Sequence, residues 1–498
     1  MQTMSSPASP SASAPHARDL RFVIIGAGLS GIMSVIELER AGYRNIALYE
    51  KAEGFGGTWR YNTYPGVGCD VPSHVYSYSF APNPDWSRVF SPGSEILAYI
   101  ERVAERYQVA KRVHFGEEVT RCVYEGKRWQ IETARGRRDQ ADVLIAATGV
   151  THHPRLPELK GIETFQGPAF HTARWDHGVK LDGKRVGVIG TGSTAVQLVA
   201  ALVPRVGKLS LFQRTPQWIM PQENQPYDEA TRAQFREQPE LMQQHREHLF
   251  KRFAMNFSDA VIDVNSPQLQ VIEQVSRTHL ETAVSDPVLR EKLRPNYRAA
   301  CKRLIISSEF YPAIQKPNAE LVVEGIERVE PTGIRTRDGR LHELDVLIYA
   351  TGFRTDQFIR PTEVRGRSGA RLDEVWGGSP TAYLSVAVPD FPNFFLLNGP
   401  SSPVGNFSLI EVAELQMRYA LQLVEKLRRG EGEEICVSKT AADSFEAERV
   451  EATKNTVWVT GCKSWYLDER GVPASWPWSL EHFRTVMQRP DFNAFELR

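Results

Sequence analysis

Twice in this chain an unbroken apolar run ends in a glycine-rich turn that opens onto a helix-compatible stretch. The first run, Phe22-Val23-Ile24-Ile25, leads into Gly26-Ala27-Gly28-Leu29-Ser30-Gly31 and then Ile32 to Arg40. The second, Val186-Gly187-Val188-Ile189, leads into Gly190-Thr191-Gly192-Ser193-Thr194-Ala195. A β-branched run without polar breaks suits a strand buried on both faces of a parallel sheet. Glycines in the turn let backbone N–H groups at a helix N-terminus approach a pyrophosphate.

The two units then diverge in charge. Glu50 closes the run Ile46-Ala47-Leu48-Tyr49, nineteen residues after Gly31. A carboxylate there accepts hydrogen bonds from a ribose 2′-hydroxyl and repels a 2′-phosphate. Arg214 stands nineteen residues after Ala195, beyond Leu209–Phe212, and Thr215 follows it. Arginine and a hydroxyl at that place suit a 2′-phosphate. The acidic site fits the ADP half of FAD, and the basic site fits NADPH. Two further buried-strand runs end in Ala147-Thr148-Gly149 and Ala350-Thr351-Gly352, where the chain could cross between domains. This pattern predicts an α/β flavoprotein oxidoreductase with two three-layer, Rossmann-like dinucleotide-binding domains.

The 498 residues allow about three folding units. Sixty Lys+Arg against sixty Asp+Glu leave no basic excess, which argues against a nucleic-acid partner. No apolar run is long enough for a membrane span, and no secretory signal is visible, so a cytoplasmic protein is expected. Residues 1–19, rich in Ser, Ala and Pro, read as a disordered tail. No glycine falls between Gly207 and Gly325, and prolines 221, 226, 239, 267, 287 and 295 divide much of that stretch into short helical segments. It predicts a helical insertion over about 220–318, within an NADPH domain at 151–375. The FAD domain is then expected at 20–150 plus 376–498. Cys69, Cys122, Cys301, Cys436 and Cys462 lie far apart, with no C-x-x-C and no metal-ligand spacing. That spacing predicts no disulfide framework, no redox dithiol and no metal site, and it removes disulfide reduction as an outlet for flavin electrons.

Molecular oxygen is the other outlet, and here the residues match a known family. Phe165-Gln166-Gly167-Pro168-Ala169-Phe170-His171-Thr172-Ala173-Arg174-Trp175-Asp176 resembles the F-x-G-x-x-x-H-x-x-x-W-[P/D] fingerprint of type I Baeyer–Villiger monooxygenases. Trp175 favours that branch over the amine- and sulfide-oxidising flavin monooxygenases, which usually carry Phe or Tyr there. A second match is Gly57-Thr58-Trp59 continuing through Tyr64-Pro65-Gly66 to Asp70. A third is Gly399-Pro400-Ser401-Ser402-Pro403, followed by Asn406 and a long helical stretch through Arg429.

The resemblance implies roles for several positions. Arg303 corresponds to the family's active-site arginine, Asp70 to the carboxylate that holds it, and Lys302 to a second contact for the NADPH 2′-phosphate. His171 and Trp175 belong to a linker whose role is domain coupling rather than proton transfer. Ser307-Ser308-Glu309 departs from the Asp and paired tyrosines of many relatives, which leaves the substrate pocket open. The implied reaction uses a flavin C4a-peroxide to insert one atom of O₂ into a ketone, giving an ester or lactone. Oxygenation of thioethers or amines, and simple NADPH oxidation with peroxide release, stand as alternatives that product stoichiometry separates.

Overall fold

The computed structural model describes residues 18–403, 405 and 407–498, with the backbone alone at residue 256. The expected tail therefore lies outside the described residues up to residue 17. From there on the chain is anchored, because the Arg18 N–H donates to the Arg428 carbonyl at 2.9 Å.

Two five-stranded parallel sheets organise the molecule. In the first, the order is Phe394–Leu396, Val143–Ala146, Phe22–Ile25, Ile46–Glu50, Val113–Phe115. In the second it is Ala319–Val322, Lys208–Phe212, Arg185–Ile189, Val346–Tyr349, Ala169–His171. The strand before each glycine turn is central in its sheet. Phe22 and Ile24 face a core shared with Ile32 and Val35, while Val23 and Ile25 face Trp129, Ile131 and Phe394. The second sheet repeats this, with Val186 and Val188 against Val196 and Val199, and Leu347 and Tyr349 against Val329 and Ile334. Cover on both faces is why these strands carry no polar alternation. Each sheet lies between helices on one side and a smaller sheet with antiparallel pairs on the other, giving three layers.

The glycine-free stretch is helical, as its punctuation predicts. Pro239, Pro267 and Pro287 each stand at the first position of a helix, where the missing N–H costs no hydrogen bond. Ser266 and Asp286 cap two of these helices by accepting from Leu269 N and Val288 N. A short parallel pairing of Ile219–Met220 with Ile305–Ile306 closes the base of the insertion. Its apolar residues Leu249, Phe257, Leu269 and Ile272 pack into the same core as the first sheet's helices. Its residues Leu280, Val284 and Leu293 pack instead into the core of the second sheet, so the insertion bridges the two units.

The chain also returns to the first unit before residue 376. Glu363–Arg365 pairs with Val119–Glu125, and Ile359, Val364, Leu372 and Trp376 share a core with Trp129. Of these residues Ile359, Val364 and Leu372 fall within the stretch assigned to the second domain, and their apolar side chains are buried in the first sheet's outer layer.

Candidate active site

Both glycine turns are held by backbone crowding. A Cβ on Gly31 would lie 1.8 Å from the Gly26 carbonyl oxygen, so only glycine lets helix Leu29–Arg40 start this close to its strand. Gly190, at φ +116°, would bring a Cβ within 2.3 Å of the Ala350 oxygen. Gly192 differs, since nothing lies within 4 Å of its Cβ position. That open space sits at the N-terminus of helix Ser193–Leu202, and the buried Ser193 hydroxyl beside it has no hydrogen-bond partner among the described residues. An open helix N-terminus with an unsatisfied hydroxyl fits a phosphate.

Glu50 is buried at the end of its strand. Its carboxylate accepts from Ala27 N at 2.7 Å and from Ala52 N at 2.8 Å, so it ties the first glycine turn to the strand end. A carboxylate has about four acceptor positions, which leaves room for hydroxyl donors as well. The segment through Gly57 closes over this turn. Gly56 N donates to Ala27 O, and a Cβ on Gly57 would lie 3.0 Å from Gly28 Cα. Thr58 Oγ1 meets Thr151 Oγ1 at 3.0 Å, and the Trp59 indole donates to Tyr76 Oη at 3.2 Å.

Arg214 is exposed and Thr215 partly so. The Thr215 carbonyl accepts from Thr191 Oγ1 at 2.8 Å, which links the basic strand end to the second glycine turn. Lys302 rides over the Tyr297 ring at 4.9 Å. Burial, and then the positive charge of Arg214, lower its pKa. Neither cation has a carboxylate partner among the described residues. Two neighbouring cations without a carboxylate beside them suit an anion.

From Trp59 the chain runs to Tyr64, whose hydroxyl donates to Gln197 Oε1 at 2.7 Å on helix Ser193–Leu202. Gln197 Nε2 in turn donates to the Gly68 carbonyl at 3.0 Å. These contacts set Asp70 at the junction of the two units. The insertion delivers Arg303 to the same place, two residues before its closing strand. Arg303 Nε donates to Asp70 Oδ2 at 3.0 Å, Nη2 lies 2.7 Å from both carboxylate oxygens, and Nη1 donates to the Gly405 carbonyl at 2.7 Å. Among the described residues these bonds use four of its five N–H donors. Burial pulls its pKa down, but Asp70 outweighs that and holds the guanidinium above its ordinary value. Tyr466 is packed beside it, and burial raises its phenol to about 12 despite the Arg303 charge. Asn406 lies outside the described residues.

The linker fingerprint forms the edge of the second sheet. Phe165 packs with Val329 and Ile334, and a Cβ on Gly167 would lie 2.4 Å from the Asp345 oxygen. His171 Nδ1 accepts from Ala173 N at 3.1 Å, and burial lowers its pKa to about 4, so it is neutral at neutral pH. Trp175 meets Phe170 edge-on at 5.1 Å, and Asp176 Oδ1 accepts from Gly178 N at 2.8 Å. Arg174 sits 5.3 Å over the Tyr61 ring, and His177 Nε2 lies 2.8 Å from Thr63 Oγ1. The fingerprint therefore touches the loop that leads to Asp70.

Residues 19–256 match the flavin-binding monooxygenase-like family. The chain is 44% identical over 477 residues to an uncharacterized monooxygenase of Mycobacterium tuberculosis, covering 95% of each. It is 38% identical over 483 residues to a Baeyer–Villiger monooxygenase of Streptomyces coelicolor, covering 96% of this chain and 92% of that one. The chain belongs to the Baeyer–Villiger monooxygenase family. Its fold agrees with that membership. Cyclohexanone monooxygenase from Rhodococcus sp. Phi1, solved bound to NADP⁺, superposes with a TM-score of 0.84 at 30% identity, over 96% of this chain and 99% of that one. OTEMO in complex with FAD and NADP gives 0.85 at 26% identity, over 97% and 100%.

One expectation about this Baeyer–Villiger family member fails. Cys301 and Cys462, 161 residues apart, form a disulfide with their Cα atoms 6.3 Å apart. Spacing along the chain could not reveal the pair, because the insertion's return and the C-terminal segment meet only in the folded core. Family membership, and not the cysteine spacing, now decides against disulfide reduction. Tyr466 and the Gly405 carbonyl also escaped sequence reasoning, since neither carries a periodic or motif signal.

Proposed function

We propose that this chain is an NADPH- and FAD-dependent monooxygenase that converts a ketone to an ester or lactone. The overall reaction takes ketone, NADPH, a proton and O₂ to ester, NADP⁺ and water. FAD, when bound and reduced, supplies the activation of O₂. Gly26, Gly28, Gly31, Glu50 and the Gly57–Trp59 segment would hold it. Gly190, Gly192, Ser193, Thr194, Arg214, Thr215 and Lys302 would hold NADPH. We also take the linker residues His171 and Trp175 as couplers of the two units, because the fingerprint touches the loop that leads to Asp70 and His171 is committed to capping Ala173 N.

The observation that carries this reading is Arg303, clamped by Asp70 where the two nucleotide units meet. Ketone oxygenation passes through negatively charged oxygen, both on the attacking group and in the tetrahedral adduct. A guanidinium fixed in place and charged at any working pH stabilises such oxygen without reorganising. Thioethers need no such anion, so this arrangement favours carbonyl substrates. A cytoplasmic setting, where NADPH is regenerated, fits the coenzyme.

The test is incubation with NADPH, ¹⁸O₂ and a panel of cyclic and aryl ketones. Esters or lactones carrying one labelled oxygen are expected. If the panel yields none while thioethers are oxidised with tight coupling to NADPH, a sulfide oxygenase is the correct reading.

A further inference from the structure

The Cys301–Cys462 disulfide lies next to the site and not in a remote core. Cys301 immediately precedes Lys302 and Arg303. Cys462 stands four residues before Tyr466, whose ring packs beside the Arg303 guanidinium. Both cysteines are buried, at 0% and 7% exposure. Thr460 Oγ1 lies 3.4 Å from Cys301 Sγ. The backbone entering this stretch is unusual: Ala300 has φ +60°, a left-handed conformation that residues with a Cβ rarely hold unless the surroundings impose it. Arg303 itself donates to Asp70 and to Gly405, both outside its own segment, and Tyr466 of the C-terminal segment stands against the same guanidinium. The disulfide is the covalent tie between residues 300–303 and the C-terminal segment, next to the Tyr466 contact.

We infer that the Cys301–Cys462 bond is a reversible clamp that positions Arg303, so that its reduction uncouples NADPH oxidation from oxygen insertion. This rests on the reading of Arg303 above and deepens it. In the reductive step a dithiol transfers two electrons and two protons to the pair. The S–S bond breaks, two thiols form, and the reductant leaves as its own disulfide. A low-molecular-weight disulfide reverses the step by accepting the same electrons and protons. With the clamp open, the strained Ala300 segment relaxes and carries Arg303 away from its place over Asp70. Cys301 and Cys462 act through Arg303 and are positioning residues.

The experiment uses the full-length FAD-loaded enzyme, either as purified under oxidising conditions or after treatment with dithiothreitol and desalting. Mass spectrometry of a non-reducing digest should show residues 301 and 462 in one cross-linked peptide, lost on reduction. Product formed per NADPH consumed should fall about tenfold on reduction, within the hundredfold that a displacement of about 1 Å can cost, with hydrogen peroxide making up the difference. The double variant Cys301→Ser/Cys462→Ser should show the low ratio whatever the treatment. If that variant does not fold, the reduced wild type still supplies the comparison. Absence of the cross-linked peptide overturns the inference. So does an unchanged ratio after complete reduction, even with a lowered melting temperature, because a purely structural bond affects only the latter. An Arg303→Ala enzyme that stays fully coupled would instead remove the Arg303 reading, leaving the cross-link as a separate fact and ending the positioning claim.

Discussion

Arg303 and Asp70 lie 233 residues apart in sequence, yet Nη2 of the arginine sits 2.7 Å from both carboxylate oxygens. Asp70 arrives on a loop pinned to the second unit's helix Ser193–Leu202 through Tyr64 and Gln197. Arg303 arrives at the end of an insertion that packs against the cores of both units. The pair is mostly buried, with side-chain exposures of 28% and 16%. Neither charge would be stable there alone, so each keeps the other ionised.

Replacing Arg303 by Ala should leave FAD binding intact, as read from the flavin absorbance of the purified protein, and abolish ester formation. Residual NADPH oxidation should appear as hydrogen peroxide. Asp70→Ala should show a milder form of this defect and lose about 3 kcal/mol of stability, because it strands a buried cation. Normal ester yield from Arg303→Ala would take this residue out of the chemistry.

Arg214 and Lys302 should set the coenzyme preference. Loss of one charge-assisted contact to phosphate is worth about 1.5–3 kcal/mol, so Arg214→Ala should raise the KM for NADPH roughly 10- to 150-fold. The KM for NADH should barely change, and Lys302→Ala should behave alike with a smaller effect. Steady-state kinetics with both coenzymes decide this, and parallel losses for the two would refute the assignment.

The two glycines of the second turn should fail in different ways. Gly190→Ala sets a Cβ 2.3 Å from a backbone oxygen at φ +116°, so it should lower the melting temperature and the yield of folded protein. Gly192→Ala meets nothing within 4 Å and should fold normally. Its methyl group would instead occupy the open space at the helix N-terminus and weaken NADPH binding. Calorimetry beside coenzyme titration separates the two, and a Gly192→Ala enzyme with wild-type NADPH affinity would show that the phosphate lies elsewhere.

Burial gives His171 a folded-state pKa of about 4, below the ordinary value of 6.5. Between these values the unfolded chain binds a proton that the folded chain does not, so stability falls as pH drops from 6.5 to about 4. It is fully present above that window, and the contribution is about 2 kcal/mol once solvent screening is discounted. His171→Asn keeps an acceptor for the Ala173 N–H without titrating, and should flatten this part of the curve. Denaturant unfolding across that pH range measures both slopes, and equal slopes would assign the acid sensitivity to other groups.

The two nucleotide units and the opposite charges at their strand ends are legible in the chain alone. Each depends on fewer than about forty consecutive residues, where backbone sterics act locally: a strand buried on both faces, glycines where a Cβ cannot fit, and a residue carried to the strand end by register. Pro239, Pro267 and Pro287 were legible for the same reason, since a missing N–H is tolerated at a helix start. The roles of Arg303, Asp70 and Lys302 came from resemblance and not from spacing. Tertiary structure alone decided that Arg303 reaches Asp70, that Cys301 bonds to Cys462, that Tyr466 stands beside them, and that residues 359–376 rejoin the first core. Those contacts join segments more than a hundred residues apart through packing of irregular loops, which leaves no periodicity in the chain to read. The insertion brings Arg303 and Cys301 to the junction by burying apolar residues in both cores, while residues 359–376 are held by a separate core around Trp129.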